Sequence, residues 1–175
     1  MKLFLQTIAL AAVIVLLSAP ASQAQFRNGG NWLGPNLTLA TDPIGFGVSF
    51  EHGVSPNIGI GGIVRYWGKS VTSAGFDWSW SIIMPQLQGA YHFMPGDKLD
   101  PYAGGRLGYA IYSFSSDNSF FNSTDDGGLF LTAYGGLRYF FNPGVSINGN
   151  LEFRVAGEDY FGSTLQLAVG VDFTL

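Results

Sequence analysis

The sequence predicts an all-β protein, an eight-stranded antiparallel up-and-down transmembrane β-barrel. Three observations lead to this fold class. The 175 residues include 25 glycines but only 11% charged residues, and so much dispersed glycine disfavours long helices. Successive stretches alternate between apolar and small or polar side chains, as strands with two different faces do. Short turns alternate with longer connections, as expected when the two rims of a barrel face different compartments.

Residues 1–24 predict a secretory signal peptide. A single lysine precedes a run of about 15 apolar residues, which is shorter than the roughly 20 residues of a membrane helix. Ser22 and Ala24 occupy positions −3 and −1 of a cleavage site before Gln25. The mature chain, residues 25–175, is therefore expected to be exported and to form one barrel domain.

Eight segments of the mature chain predict strands. Clusters of Gly, Pro, Asn, Asp and Ser bound them, and these residues favour turns. Most segments have a length that suits strands crossing a bilayer at a tilt of about 45°. The predicted strands cover residues 33–42, 44–53, 57–67, 80–93, 101–113, 128–141, 144–156 and 163–175. The polar and aromatic stretches at 68–80 and 113–127 are predicted to be loops.

The composition of the two strand faces decides which face points inward. One face is apolar, and the other carries mainly Gly, Ala, Ser, Asn and Gln, whereas a soluble sandwich would expose Lys, Glu and Thr to water. The interior of an eight-stranded barrel is just wide enough for side chains to fill. An arginine facing lipid would cost about 2–4 kcal/mol at the bilayer midplane. The polar faces are therefore predicted to point into the lumen.

These polar faces bring both signs of charge into one lumen. A buried arginine is costly unless an opposite charge pairs with it, so a mixed lumen is physically coherent. The predicted polar network of the lumen comprises Glu51, Arg65, His92, Arg106, Arg138, Glu152, Arg154 and Asp172. His92 is interpreted as part of this polar filling.

Aromatic residues near the strand ends predict interfacial girdles, which flank the apolar band of membrane barrels. The candidate girdle residues are Trp32, Tyr66, Trp67, Trp78, Trp80, Tyr91, Phe93, Tyr139, Phe140 and Phe141.

The eight alternating segments, the fifth segment "PYAGGRLGYAIYSF" and the terminal "LQLAVGVDFTL" resemble the small OmpA/OmpX-type outer-membrane β-barrel family. The resemblance implies location in the outer membrane of a Gram-negative bacterium. It also implies that the last strand carries an assembly signal read by the barrel-assembly machinery. In this chain the signal would comprise Leu167, Val169, Val171, Phe173 and Leu175. The family usually ends in an aromatic residue, whereas here Leu175 is last and Phe173 supplies the aromatic ring.

The sequence offers little for catalysis or for cofactors. There is no cysteine, and the net charge of −4 lacks the basic patches of nucleic-acid-binding proteins. "WGKSV" fails as a phosphate-binding loop because Ile63 stands where the first glycine is needed. Related lipid A deacylases carry a serine two residues after a histidine, but Val54 and Met94 follow the two histidines at that spacing. No enzyme activity, metal or cofactor is predicted.

The predicted function is that of a monomeric outer-membrane barrel with a structural or surface-interaction role and a side-chain-filled lumen. Its expected partners are outer-membrane lipids, lipopolysaccharide and the barrel-assembly machinery. Three alternatives remain open at this point. They are narrow-pore transport of small solutes, modification of lipid A, and a soluble lipocalin-like carrier.

Overall fold

A computed structural model of the protein describes residues 25–39, 43–73, 76–116, 124–157 and 165–175, so the predicted signal peptide lies outside the described residues. Eight antiparallel strands form a closed barrel in which each strand pairs with its neighbours in sequence and β1 pairs with β8. This confirms the predicted fold class. The strands are β1 Asn31–Thr38, β2 Gly45–Gly53, β3 Ile58–Ser73, β4 Phe76–His92, β5 Leu99–Ser116, β6 Thr124–Asn142, β7 Val145–Gly157 and β8 Leu165–Thr174. Within the described residues, none forms a helix that could cross a membrane.

The two rims of the barrel differ in structure. Both ends of the barrel sequence and the short links at 54–57, 93–98 and 143–144 lie at one rim, which we call the turn rim. The opposite rim, the hairpin rim, carries the β3–β4 and β5–β6 hairpins. Their pairing continues to Ser73–Phe76 and to Phe114–Thr124. Strands β1, β2, β7 and β8 are shorter and do not reach as far towards the hairpin rim. The wall formed by β3–β6 is therefore taller than the wall formed by the other four strands.

The prediction of loops at 68–80 and 113–127 is wrong for residues 68–73, 76–80, 113–116 and 124–127, which belong to strands, while residues 74–75 and 117–123 lie outside the described residues. β3 and β4 pair without interruption from Ile58–Tyr91 to Ser73–Phe76, and β5 pairs with β6 as far as Phe114–Thr124. The ladder continues because backbone pairing does not require an apolar face once a hairpin rises above the hydrocarbon layer. The polar side chains at the hairpin rim therefore show where the strands leave the hydrocarbon layer and enter water. They do not show where the strands end.

Every strand has an apolar outer face over the part that lies below the polar residues of the hairpin rim, as predicted. Side chains alternate between buried and exposed positions, so that Leu87 is 72% exposed while its neighbour Gln86 is buried. Leu129 and Leu107 are similarly exposed on β6 and β5. Exposed apolar area on this scale is stable only against lipid or a partner. The alternation thus turns the sheet inside out relative to a soluble barrel.

Replacing Leu87 with arginine is expected to destabilise the barrel by about 2–4 kcal/mol, since the charge would enter hydrocarbon. The free energy of unfolding in phospholipid vesicles, measured by urea titration, tests this. Leu175→Arg is the matched control, because Leu175 is equally exposed but lies at the turn rim, where the cost falls to about 0–1 kcal/mol. Equal costs at the two sites would contradict a lipid-facing Leu87.

The predicted aromatic girdle is only partly right. Tyr66, Tyr91, Phe93, Tyr139 and Phe141 are exposed on the outer wall, and Trp78 and Trp80 are half-buried near the hairpin rim. The pairs Tyr91–Phe93 and Tyr139–Phe141 make edge-to-face contacts. Trp32, Trp67 and Phe140, however, are each only 1% exposed and point into the lumen. They occupy inward positions of their strands, and the period of two overrides their preference for an interface.

Candidate functional site: the lumen

Arg65, Arg106 and Glu152 form the first of two ion-pair clusters in the lumen. Both terminal nitrogens of Arg65 donate to Glu152, at 2.6 Å to Oε2 and 2.5 Å to Oε1. Arg106 Nη1 lies 2.5 Å from the same Oε1. These three side chains come from β3, β5 and β7, so the cluster ties distant parts of the barrel together. A bidentate arginine–carboxylate pair of this kind is stronger than a hydrogen bond between neutral groups and is also more specific in its geometry.

Arg106 is held on its other sides by uncharged groups. Its Nε donates to Gln88 Oε1 at 3.0 Å, and its guanidinium carbon lies 3.8 Å from the centre of the Tyr134 ring. Such stacking leaves the nitrogens free to bond in the plane of the guanidinium group. Arg106 is therefore fixed in position by a carboxylate, an amide and an aromatic ring.

The second cluster is built around Arg138 and Glu51. Arg138 Nη2 donates to Glu51 Oε2 at 2.6 Å, and its Nε lies 3.2 Å from Asp172 Oδ2. Asn148 donates to the same Asp172 oxygen at 2.7 Å. Arg138 comes from β6, Glu51 from β2 and Asp172 from β8. The cluster therefore links strands on both sides of the β1–β8 closure.

His92 extends this cluster to the turn rim. Its Nε2 lies 3.0 Å from Glu51 Oε1 and its Nδ1 lies 2.6 Å from Asp100 Oδ2. Both His92 and Asp100 are fully buried. A ring placed between two carboxylates satisfies both of them only as a donor at each nitrogen. With His92 as imidazolium, four cations (Arg65, Arg106, Arg138, His92) balance four anions (Glu51, Asp100, Glu152, Asp172).

The structure thus brings together seven of the eight residues of the predicted polar network. Arg154 is the exception, because it is only half-buried and its guanidinium carbon lies 4.8 Å from the centre of the Phe130 ring, near the hairpin rim. Asp100 is a network member that the sequence analysis missed. It lay in a stretch interpreted as a turn, but β5 begins at Leu99 and pairs Asp100 with Arg138. The opposite charges of Asp100 and Arg138, on neighbouring strands, were the signal from which Asp100 could have been predicted as a network residue.

An aromatic plug closes the lumen at the turn rim. It consists of Phe26, Trp32 and Phe140, all buried. Phe26 comes from the segment before β1 and stacks on His92 at 3.5 Å between ring centroids and on Trp32 at 4.8 Å. The segment is anchored to β2, since Gly29 N donates to Gly53 O at 2.7 Å and Gly53 N donates to Gly30 O at 2.9 Å. We call residues 25–30 with these rings the turn-rim plug.

A second apolar cluster fills the lumen towards the hairpin rim. Its buried members are Trp67, Ile82, Met84, Ala110 and Phe130, and Trp80 and Tyr112 pack against them. Trp67 reaches across to β2, where its indole occupies the space that a Cβ at Gly45 would need. A side chain at position 45 would therefore displace the indole. We call this cluster the hairpin-rim plug.

Between the plugs the lumen is almost solid. The space around Glu51, Arg65, Tyr102 and Arg138 amounts to a cavity of about 30 Å³. A single water needs roughly 10–15 Å³ measured in this way, so the cavity has room for two or three waters at most. In the described part of the chain, no group of His, Asp and Glu has the arrangement of a metal site.

The residues of the predicted assembly signal lie along β8 and at its end. Leu167, Val171 and Leu175 are exposed on the outer wall, whereas Val169 and Phe173 are half-buried. β8 closes the barrel by pairing with β1 between Trp32–Thr174 and Thr38–Ala168. Recognition of this strand by the assembly machinery stays a prediction.

Solved structures of outer-membrane barrels share the fold. The N-terminal β-barrel domain of Pseudomonas aeruginosa OprF matches with a TM-score of 0.64 and 14% identity, over 85% of this chain and 98% of that one. Ail of Yersinia pestis gives a TM-score of 0.55 at 14% identity, over 83% and 97% of the two chains. OprG of P. aeruginosa gives 0.56 at 12% identity, over 85% and 97%. No protein with a curated description matches the sequence.

The family comparison agrees with the geometry of lumen and outer wall. The family model for the outer membrane protein beta-barrel domain matches residues 8–173, almost the entire chain. The apolar outer wall, the polar lumen and the short turns at one rim are the features of barrels that span the outer membrane. The protein belongs to the family of outer membrane protein beta-barrel domains.

Proposed function

We propose that this protein is a closed outer-membrane barrel whose role is structural or lies in surface interaction. The observation that carries the proposal is the filling of the lumen from one rim to the other. Ion pairs occupy its centre, and the turn-rim plug and the hairpin-rim plug occupy its ends. A solute crossing the barrel would have to displace paired charges, which costs several kcal/mol for each uncompensated ion.

The tall wall formed by β3–β6 is the part of the barrel best suited to surface interaction. Short turns face the periplasm in barrels of this kind, so the hairpin rim is expected to face outward from the cell. Ail, which shares the fold, was crystallised in complex with the heparin analogue sucrose octasulfate. We propose a monomer that meets lipopolysaccharide and other surface partners through these hairpins, after insertion by the barrel-assembly machinery.

The buried geometry around His92 argues against a catalytic role for this histidine. A catalytic triad also joins histidine to carboxylates, but one ring nitrogen must then face a nucleophile. Here both nitrogens face carboxylates, and the rings of Phe26 and Tyr102 lie 3.5 and 5.6 Å away between centroids. A substrate therefore finds no free ring atom to react with.

Single-channel recording in planar bilayers tests the closed lumen. We expect no steady openings from the purified, refolded protein, and a porin added to the same bilayers serves as the positive control. A gel that compares boiled and unboiled samples shows that the barrel is folded. Steady openings from the folded protein would overturn the closed-lumen proposal and favour narrow-pore transport.

A further inference from the structure

The outer wall carries an apolar groove across β2–β5, within the belt that faces lipid. The groove has a volume of about 610 Å³. Gly62 lies at its centre and pairs with Phe50 on one side and Leu87 on the other. Because Gly62 has no side chain, the exposed side chains of Phe50, Val64 and Leu87 stand around a depression. We call this depression the apolar groove.

A second, polar groove of about 510 Å³ lies on the same strands, closer to the hairpin rim. The boundary between the two is the outward row Tyr66–Ile83–Ile111, in which the three residues pair across β3, β4 and β5. The next two outward rows towards the rim carry small, mostly hydroxylated side chains. These rows are Gly68–Ser81–Ser113 and Ser70–Ser79–Ser115.

Alternation along the strands places these serines on the outer wall. Trp80 and Tyr112 pack inward against the hairpin-rim plug, so Ser79, Ser81 and Ser113 beside them point outward. Tyr66 leans from the boundary row into the space above Gly68, where its ring would meet any added Cβ. The polar groove thus combines hydroxyl groups with one aromatic edge.

The charge of the polar groove favours a neutral ligand. Of the outward side chains that the structure describes on β3–β5 beyond the boundary row, Asp77 is the ionisable one, and it lies near the tip of its hairpin. Lys69 also lines the groove, but it pairs with the inward Trp80, so the alternation directs its side chain to the other face of the sheet. Phosphate groups are bound by arginine, lysine or clustered backbone N–H groups. Serine hydroxyls both donate and accept hydrogen bonds, which suits the hydroxyl groups of a sugar.

We propose that the two grooves together bind a sugar-bearing lipid of the outer leaflet, lipopolysaccharide. Its acyl chains would lie in the apolar groove, and neutral sugars of its core would lie against the serines. The order along the wall, from hydrocarbon to tyrosine to hydroxyl groups, matches such an amphiphile, and both volumes fall within the roughly 300–1,000 Å³ of ligand sites. The apolar groove is continuous with the lipid-facing belt, so membrane lipid already contacts the end of the groove that lies nearer the turn rim.

The proposal deepens the surface role proposed above and rests on the outward orientation of the hairpin rim, but not on a closed lumen.

Native mass spectrometry of the purified barrel, mixed separately with core-bearing lipopolysaccharide, lipid A and phosphatidylglycerol, measures binding. We expect core-bearing lipopolysaccharide to bind most tightly. Replacing Ser70, Ser79, Ser113 and Ser115 together with alanine should weaken it about tenfold, equivalent to about 1.4 kcal/mol.

A second variant tests the acyl end of the site. Val64→Trp fills the apolar groove and should weaken lipopolysaccharide binding, whereas Leu151→Trp on the lipid-facing side of β7, which is exposed to the same degree but lies away from the groove, should not. Thr174→Val removes a hydroxyl at the turn rim and is the control for the serine variant. Heat-modifiability gels confirm that each variant folds.

Three outcomes would overturn the proposal. They are unchanged binding by the serine variant, equal effects of Val64→Trp and Leu151→Trp, and equal binding of lipid A or phosphatidylglycerol to the wild type. The first and the third would mean that the serines do not recognise core sugars, and the second would mean that lipid contacts the whole wall without preference. Channel openings in the bilayer experiment would leave the lipopolysaccharide proposal standing, so the two failures are distinguishable.

Discussion

Glu152→Ala is expected to lower the free energy of unfolding by about 3–5 kcal/mol, because it leaves two buried arginines without an anion. Glu152 accepts hydrogen bonds from both terminal nitrogens of Arg65 and pairs with Arg106 Nη1. All three side chains are at most 5% exposed, so water cannot replace the carboxylate. Urea unfolding in phospholipid vesicles, followed by tryptophan fluorescence, measures the loss.

Two further variants separate charge pairing from the simple loss of a side chain. Arg154→Ala removes a half-buried cation whose guanidinium faces the Phe130 ring and lies outside the two clusters. Its expected cost is about 1 kcal/mol or less, as for a partly exposed cation–π contact. Glu152→Gln keeps an acceptor oxygen and should fall between the two. A cost for Glu152→Ala no larger than that for Arg154→Ala would refute the ion-pair account of the lumen.

The faces of the strands could be predicted from sequence because the period of a strand is fixed at two residues. Once Leu107 faces lipid, Arg106 must face the lumen, and the same holds for Leu137 and Arg138. The network residues therefore followed from alternation together with the high cost of an arginine in lipid. Their partners did not follow, because pairing depends on strand register and on the distance across the lumen.

The plugs were missed because hydropathy does not tell an inward aromatic residue from one at the membrane interface. Trp67 was assigned to the girdle because it lies at the end of a predicted strand, although it is adjacent to the outward Tyr66 and so occupies an inward position. The same alternation identifies Trp32, next to the outward Leu33. Strict use of the two-residue period would have placed both indoles in the lumen.

The height of the β3–β6 wall and the role of Phe26 were beyond a pattern-based prediction for different reasons. Above the membrane neither face needs to be apolar, so "GKSVTS" resembles a loop although it continues β3. Phe26 precedes the first strand and has no periodic neighbours. The position of Phe26 depends on ring contacts with His92 and Trp32. His92 is distant in sequence, and the ring of Trp32 cannot be placed in the lumen before the fold is known.

Phe26→Ala is expected to destabilise the barrel by about 3–5 kcal/mol, as for a phenylalanine removed from a packed core. Phe26 is only 2% exposed, and it covers the ring of His92, which holds Glu51 and Asp100. Losing the ring would open the turn-rim plug to water beside these charges. Urea unfolding in vesicles gives the cost, and faster hydrogen exchange at the Gly29 amide would show that the segment has detached.

Phe141→Ala is the matched control for this variant, since Phe141 also lies at the turn rim but is 60% exposed on the outer wall. Its ring contacts Tyr139 and lipid, so its removal should cost about 1 kcal/mol. If Phe26 closes the barrel, Phe26→Ala should lower the free energy of unfolding clearly more than Phe141→Ala does. Equal costs would mean that Phe26 contributes no more than a ring at the membrane interface, and the lumen would then be closed at this rim by Trp32 and Phe140 alone.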